Sequence, residues 1–596
     1  MADKAVYWRG KLMGAFFLYR DESELDLDDA RTLFERKGFA PARELALGSW
    51  RLWLYRKMLV PLDNYFSDDE GWSVFACGTV VYRSLGYRDS LKRLLADFRA
   101  NRLDQEELIG GFCLLFWDGR KISILRDRSR IYKVFGDDAR SCLSSSFLAM
   151  VEVSPLPLAL NRLAVCEKIA TGFILGPDTL VDGIREITIN HTDDYALIDG
   201  IGFEQVLDRP KPIIHAKGRE DSLERQISVL GLHGMALNTL NSEMKGLLGL
   251  SSGYDSRLLL ACTKVFTDKV NLYTHDTQGV HAKQHDVIQA LADIYGMPLA
   301  TTSTRSNEDH TLDQAADILN ECMLFFDASS SRQRGAFHET YTRQYNEKVL
   351  AGCGCLFHGV GGELYRNHTH SMRWGTPVHA WFERHVIFPF AKEVIGDSDL
   401  YEAMFARMLE KVTTQLGDEG GRTTHLHWLR RYYSEVRMMA SDAHFVGAFN
   451  QMVHCHAPFL DAMVIAEGLG ATPYIGNGSV YESELIVRLD SKLASIPTEY
   501  GFAPNNISVT EKTRALLRSV LPDALQTRRV RRIKQKAIPL MSSKLPLSME
   551  FVDEMKLSLE DVLPNSQFKE CLNDHSQMSV TLSLAYFLKQ YGFRRS

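Results

Sequence analysis

No stretch of the 596 residues approaches the roughly 18 consecutive apolar positions a spanning helix needs, so a membrane partner is not expected. The apolar run Leu12–Tyr19 is short and leads straight into the acidic segment 21–29 without a small-residue cleavage site, which makes a poor signal peptide. Charge of one sign is also scarce. Sixty-nine Lys and Arg against 75 Asp and Glu leave a formal charge of −6, which argues against bulk electrostatic binding of nucleic acid. One basic run stands out, Arg528–Lys536 (RRVRRIKQK). Ten scattered cysteines do not make a disulfide framework. Cys113 and Cys262 sit inside apolar runs, as buried free thiols do, and a reducing cytoplasm fits. Internal repeats and low-complexity segments are absent.

What is present reads as a globular chain too long for one core, so two or three domains are expected. The first two hundred residues alternate strands and turns. Gly110–Phe116 and Lys121–Arg126 form a hairpin around Asp118-Gly119, with further short strands at Arg51–Tyr55 and Val74–Tyr82. Two prolines in 208–212 mark a linker. From Leu223 onward strands alternate with helices: an apolar strand Leu247–Leu250, helical spacing over Ser256–Phe266, a strand Val270–Tyr273 and helical spacing over Lys283–Tyr295. That order implies an α/β unit with a parallel sheet.

The segment Leu247–Arg257 (LLGLSSGYDSR) carries the most chemistry. A buried strand ends in small residues and opens a helix, where unpartnered N–H groups and the helix dipole favour phosphate. Ser251, Ser252 and Ser256 can add hydroxyl donors. Asp255 would repel an anion, but suits a Mg²⁺ ion lying between it and phosphate. The plainer alternative is an ordinary N-capped helix after a strand.

SSGYDS resembles the S-G-G-x-D-S loop of PP-loop ATP pyrophosphatases, with Ser252 in place of the first glycine. The rest of the chain resembles the asparagine-synthetase family in the same order: Gly110–Arg130, Gly172–Ile184, Gly359–Leu364 (GVGGEL, where the family has G-E-G-A-D-E), Ala457–Asp461 (APFLD), and Leu521-Pro522 followed by Arg532–Gln535. The resemblance implies an N-terminal-nucleophile hydrolase-like α+β sandwich over residues 1–207 and an α/β synthetase domain over 220–596. It implies ATP and Mg²⁺ as cofactors, and a small-molecule or peptide carboxylate activated as an acyl-adenylate for attack by an amine. It places Leu250, Ser251, Ser252, Gly253, Asp255, Ser256, Gly359, Gly361 and Gly362 around the nucleotide, with Asp255 and Glu363 as metal carboxylates. Lys534 takes the place of the lysine that balances charge on the phosphates and the acyl centre; otherwise its basic run is a solvated face. A homodimer is compatible with the family.

Departures narrow the expectation. The family's glutaminase nucleophile is the first residue after methionine removal, and position 2 here is Ala2. Cys77 and Thr79 stand where the family's glutamine-binding N-G-E-x-Y segment has its asparagine and acid. Glutamine hydrolysis is therefore not expected, and ammonia or a substrate amine becomes the nitrogen source, as in the family's β-lactam synthetases and lasso-peptide cyclases. Val360 and Leu364 replace glutamates, one of them a candidate base for the amine; Glu363 and His358 lie nearby. Two rivals remain: a binding module that has kept the fold and lost catalysis, and another PP-loop chemistry such as tRNA modification, against which the lack of a basic domain counts. His281 and His285, spaced as metal ligands on a helix, read better as a polar face. Cys353, Cys355 and His358 read as an apolar strand over Val349–Phe357.

Overall fold

The first strand decides the architecture of the N-terminal part. Along Met13–Arg20, Phe16 and Leu18 enter one core while Ala15, Phe17 and Tyr19 enter another, so both faces of its sheet are covered. The computed structural model describes residues 13–596 apart from 24, 61, 155–157, 189–197, 204–212, 266–269, 278–281, 305–311, 330–338, 367–374, 418–422, 477, 508–512, 514–548 and 592–596. The first strand lies in a six-stranded antiparallel sheet whose neighbours include Trp50–Lys57 and Cys142–Ser144. A second, five-stranded sheet contains Ser73–Gly78, Phe112–Trp117 and Ile122–Arg126. Phe16, Leu18, Leu52 and Leu54 from the first sheet and Phe75, Cys113, Leu115 and Ile124 from the second share one buried cluster, so the sheets pack face to face. Helices cover the outer faces. Phe34 of Leu27–Arg36 stacks on Tyr55 at 4.1 Å, and Phe98 of Tyr87–Arg99 stacks on Phe116 at 4.0 Å.

The expected hairpin forms, with Trp117 opposite Ile122. Asp118 Oδ1 accepts from the Arg120 and Lys121 N–H groups at 2.8 and 2.7 Å, and Gly119 takes φ +90°, which the turn requires. The expected strand Val74–Tyr82 is shorter: pairing runs over Ser73–Gly78 and breaks at Gly78 (φ +85°), leaving Val81–Tyr82 to a separate two-stranded ribbon.

The second half is built on a five-stranded, all-parallel sheet in the order Leu299–Thr304, Asn271–Thr277, Gly246–Gly249, Cys355–Phe357, His454–His456. The chain starts at the centre, winds outward on one side, then crosses to the other. Gly246–Gly249 and Cys355–Phe357 thus flank the point where the winding reverses, and in open α/β sheets the crevice beyond the carboxyl ends of such strands is where ligands bind. The helix Asp255–Lys264 follows the central strand. The expected strand over Val349–Phe357 is a correction: Arg343–Val349 is helical, Gly352 turns the chain at φ +74°, and only Cys355–Phe357 pairs. The apolar run served a helix end and a strand together.

The two halves share contacts. Met58 and Leu59 N–H donate to the Gln451 and Met452 carbonyls, both at 2.9 Å, and Lys57 Nζ donates to the Asn450 and Val453 carbonyls at 2.6 and 3.2 Å. The C-terminal helix His575–Tyr591 packs back on the first half, with Phe587 against Phe147. Among the described residues no helix is long and apolar enough to cross a membrane. The expected linker at 208–212 lies outside the described residues.

Candidate functional site

Two loops leave the carboxyl ends of the paired central strands and pack on each other. The first, from Leu250 to Ser256, is tied internally. Ser256 Oγ accepts from the Ser251 N–H at 2.9 Å and donates to the Ser251 carbonyl at 3.2 Å, while Ser251 Oγ lies 2.8 Å away. Leu250 N–H donates to the Tyr273 carbonyl at 2.9 Å, which anchors the loop to the neighbouring strand. Ser251 stays exposed and Ser252 and Ser256 are buried.

The second loop, His358–Glu363, needs its glycines. A Cβ on Gly359 would stand 3.0 Å from Ser256 N, and one on Gly362 would stand 2.6 Å from Asp255 Cβ. Gly361 adopts φ +91° against Phe459 and Leu460. Absence of side chains here lets the Asp255 end of the helix seat directly on the loop. Ser251, Ser252, Gly253, Asp255, Ser256, Gly359, Gly361, Gly362 and Glu363 thus occupy two adjoining loops at the reversal point. Lys534 lies outside the described residues, as do Ala2 and His281.

Two groups that sequence spacing did not signal complete this side of the arrangement. Arg366, just past the second loop, donates through Nη2 to Asp255 Oδ1. Its Nε stands 3.1 Å from Glu482 Oε2, and its Nη2 stands 4.0 Å from Glu363 Oε1. Glu482, on the helix Val480–Leu489, is fully buried, with its carboxyl turned toward Asp255 and Arg366. Burial pushes Asp255 up to about 6, opposed by Arg366 and reinforced by Glu363. Burial likewise holds Glu482 well above the usual carboxylate range. Burial alone would lower Arg366; the surrounding Glu482, Asp255 and Glu363 outweigh it and keep the guanidinium firmly protonated. Nothing in the spacing of residues 255, 366 and 482 could have announced this cluster.

On the other flank Ser252 Oγ donates to Glu499 Oε2 at 3.0 Å. Arg257, fully buried, donates to the Leu493 and Pro497 carbonyls at 3.3 and 3.0 Å and to that of Ile496, fixing the segment that carries Glu499 and Tyr500. Burial lowers Arg257 to about 10, still charged at neutral pH. Tyr500 is 58% exposed and stacks on Tyr254 at 6.3 Å, which leaves an aromatic face open beside the loop.

Leu364, expected from the resemblance to stand where a glutamate would be, is apolar for a visible reason. Leu364 is buried where Gly468 admits it, since a Cβ on Gly468 would stand 2.6 Å from Leu364 Cγ. His358 is no free base at Nδ1, which accepts from the Val360 N–H at 3.1 Å; burial lowers the ring to about 4. Cys353 and Cys355 are buried free thiols.

The donor set fits a divalent cation in chemistry. Hard carboxylate oxygens of Asp255 and Glu363, with Glu482 beside them, exceed in charge the one guanidinium among them. It does not fit as a preformed cage: among the described residues no group of three His, Cys, Asp or Glu is arranged to hold a metal, and Arg366 stands at Asp255.

Cys77 and Thr79, expected from the resemblance to stand where glutamine would bind, are closed off. Cys77 is buried, and burial pushes its thiol up to about 12, against the opposing charge of Lys57. Thr79 Oγ1 donates to Asn450 Oδ1 at 2.7 Å. At the start of the first strand a Cβ on Gly14 would stand 2.6 Å from the Gln451 backbone, and the adjoining cavity measures about 50 Å³. A larger cavity of about 790 Å³ lies elsewhere, against Asp178, Arg407 and Lys411; neither loop lines it, and Arg407 and Lys411 are paired with Asp178 at 2.8 and 3.1 Å.

No protein-family model matches the chain, and a search of curated proteins finds no match either.

Proposed function

We propose that this protein is an ATP-dependent amide-bond synthetase of the asparagine-synthetase kind. It activates a carboxylate as an acyl-adenylate, releases pyrophosphate, and joins the acyl group to ammonia or a substrate amine. The observation that carries the reading is the meeting of Ser251–Ser256 with Gly359–Glu363 at the reversal point of a parallel sheet, sealed by Gly359 and Gly362. A small-residue loop opening the helix Asp255–Lys264 there suits a pyrophosphate group, whose charge the loop N–H groups and helix dipole favour.

The chemistry needs such a cradle. A carboxylate resists amines because hydroxide is a poor leaving group, whereas AMP leaves readily. Adenylation in turn depends on holding the departing pyrophosphate in place. Leu250, Ser251, Ser252 and Gly253 would form the nucleotide side of the loop, where Ser251 offers an exposed hydroxyl. Asp255 and Glu363 would hold Mg²⁺, which when bound with ATP neutralises phosphate charge. Lys534 would balance charge at the reacting acyl centre. The N-terminal sandwich is read as a glutaminase-like domain that has lost its chemistry, which leaves ammonia or a substrate amine as nucleophile.

One feature supports a second reading, a module that binds without catalysis: Asp255 and Ser252 are both paired to protein groups, Arg366 and Glu499. ATP–pyrophosphate exchange driven by a panel of carboxylic acids distinguishes the two. Exchange with even one acid supports the synthetase. No exchange, together with no ATP binding by calorimetry, favours the binding module.

A further inference from the structure

The guanidinium of Arg366 sits where a cation would serve Asp255. Asp255 and Glu363 set two carboxylates against the single positive charge of Arg366, and Glu482, which burial holds well above the usual carboxylate range, stands beside them as a third acidic group. A fully buried carboxylate is costly unless a countercharge lies against it, and the guanidinium at 3.1 Å supplies that charge. A divalent ion would match the two carboxylates of Asp255 and Glu363, but it cannot take Asp255 Oδ1 while Arg366 Nη2 donates to the same atom.

We propose that Arg366 is the resident cation of this cluster: it holds Asp255 and Glu482 until nucleotide phosphate draws the guanidinium away, so that a divalent ion and the nucleotide bind together and not singly. The exchange is chemically even. A guanidinium gives up a carboxylate for phosphate oxygens, which match its planar donors equally well, and the freed carboxylates take the metal. Arg366 is a positioning residue in this scheme, with 15% of its side chain exposed on the side from which nucleotide phosphate would approach it. Coupling to nucleotide rests on the synthetase reading; competition between Arg366 and a metal rests on the cluster alone.

Mn²⁺ binding to the full chain, followed by electron paramagnetic resonance, tests both parts. Without nucleotide, the unaltered protein should bind Mn²⁺ weakly and Arg366→Met about tenfold more tightly or better, a tenfold change being what the removal of one close positive charge readily produces. Because Arg366→Met strands buried Glu482, the pair Arg366→Met with Glu482→Gln removes both partners and should show the same gain in a stably folded protein. With a non-hydrolysable ATP analogue, and after allowance for Mn²⁺ held by free analogue, the unaltered protein should gain affinity while Arg366→Met gains little. Equal Mn²⁺ affinity of the unaltered protein and both variants without nucleotide would overturn the proposal. If that difference holds but ATP does not bind by calorimetry, the synthetase reading and the nucleotide coupling fall and the competition stands.

Discussion

Gly362 lies so close to Asp255 that any side chain there would collide with it: a Cβ would stand 2.6 Å from Asp255 Cβ. Because the collision reaches the Cβ itself, a rotamer change at Asp255 cannot relieve it, and the helix start must move off the loop. Gly362→Ala should therefore cost about 1–3 kcal/mol of stability, as overpacking does elsewhere. On the synthetase reading the displaced end is the one that would face phosphate, so the change should also weaken ATP binding by about tenfold. Denaturant unfolding and calorimetry measure the two effects. Stability and affinity both equal to those of the unaltered protein would show that the loops are not seated as described.

Glutamine should be inert. Cys77 is buried with its thiol held at about 12, so almost none is thiolate at neutral pH, and Thr79 is committed to Asn450. Purified protein should release no glutamate from glutamine, with or without ATP, above a heat-treated control. Release above that control would contradict the reading of the N-terminal half.

Acid should unfold the protein through its histidines. Burial lowers His233 and His444 to about 3 and His358 and His427 to about 4, and it holds His456, 3.0 Å from His233, well below its ordinary value. The unfolded chain keeps histidine near the ordinary 6.5, so between that value and about 3–4 the unfolded state binds more protons. Stability is then complete above 6.5 and drains away as pH falls toward the folded values. Each such group contributes up to about 1.4 kcal/mol per pH unit. The midpoint of denaturant unfolding should fall markedly from about pH 7.5 to about pH 5. A midpoint unchanged over that interval would mean that these rings are solvated.

The sequence made the loop legible and hid what faces it. Leu247–Leu250 ending in Ser-Ser-Gly signals a buried strand opening a helix, and the hairpin at Asp118-Gly119 signals itself by its turn, because both depend on neighbours in the chain. Arg366 reaches Asp255 across 111 positions and Glu499 reaches Ser252 across 247. Such pairings depend on which strands the sheet sets side by side, and no local period encodes that. The apolar run Val349–Phe357 misled for a related reason: the end of a helix and a buried strand are equally apolar, and the break between them is marked by Gly352, at φ +74°, with Gly354 two positions on.

Lys534 separates a working synthetase from a retired one. If it balances charge that develops as the adenylate forms and collapses, its loss harms the transition state more than the ground state. Removing one preorganised group of that kind costs about 10²–10³ in kcat. Lys534→Ala should therefore keep its fold and nearly all of its ATP affinity while ATP–pyrophosphate exchange falls by about that factor. Lys536, two positions along in the same basic run, provides the control, because a merely solvated face would make the two lysines equivalent. Lys536→Ala should change exchange far less. Small and equal losses at both positions would assign Arg528–Lys536 to the surface and move the balance toward a protein that binds without catalysis.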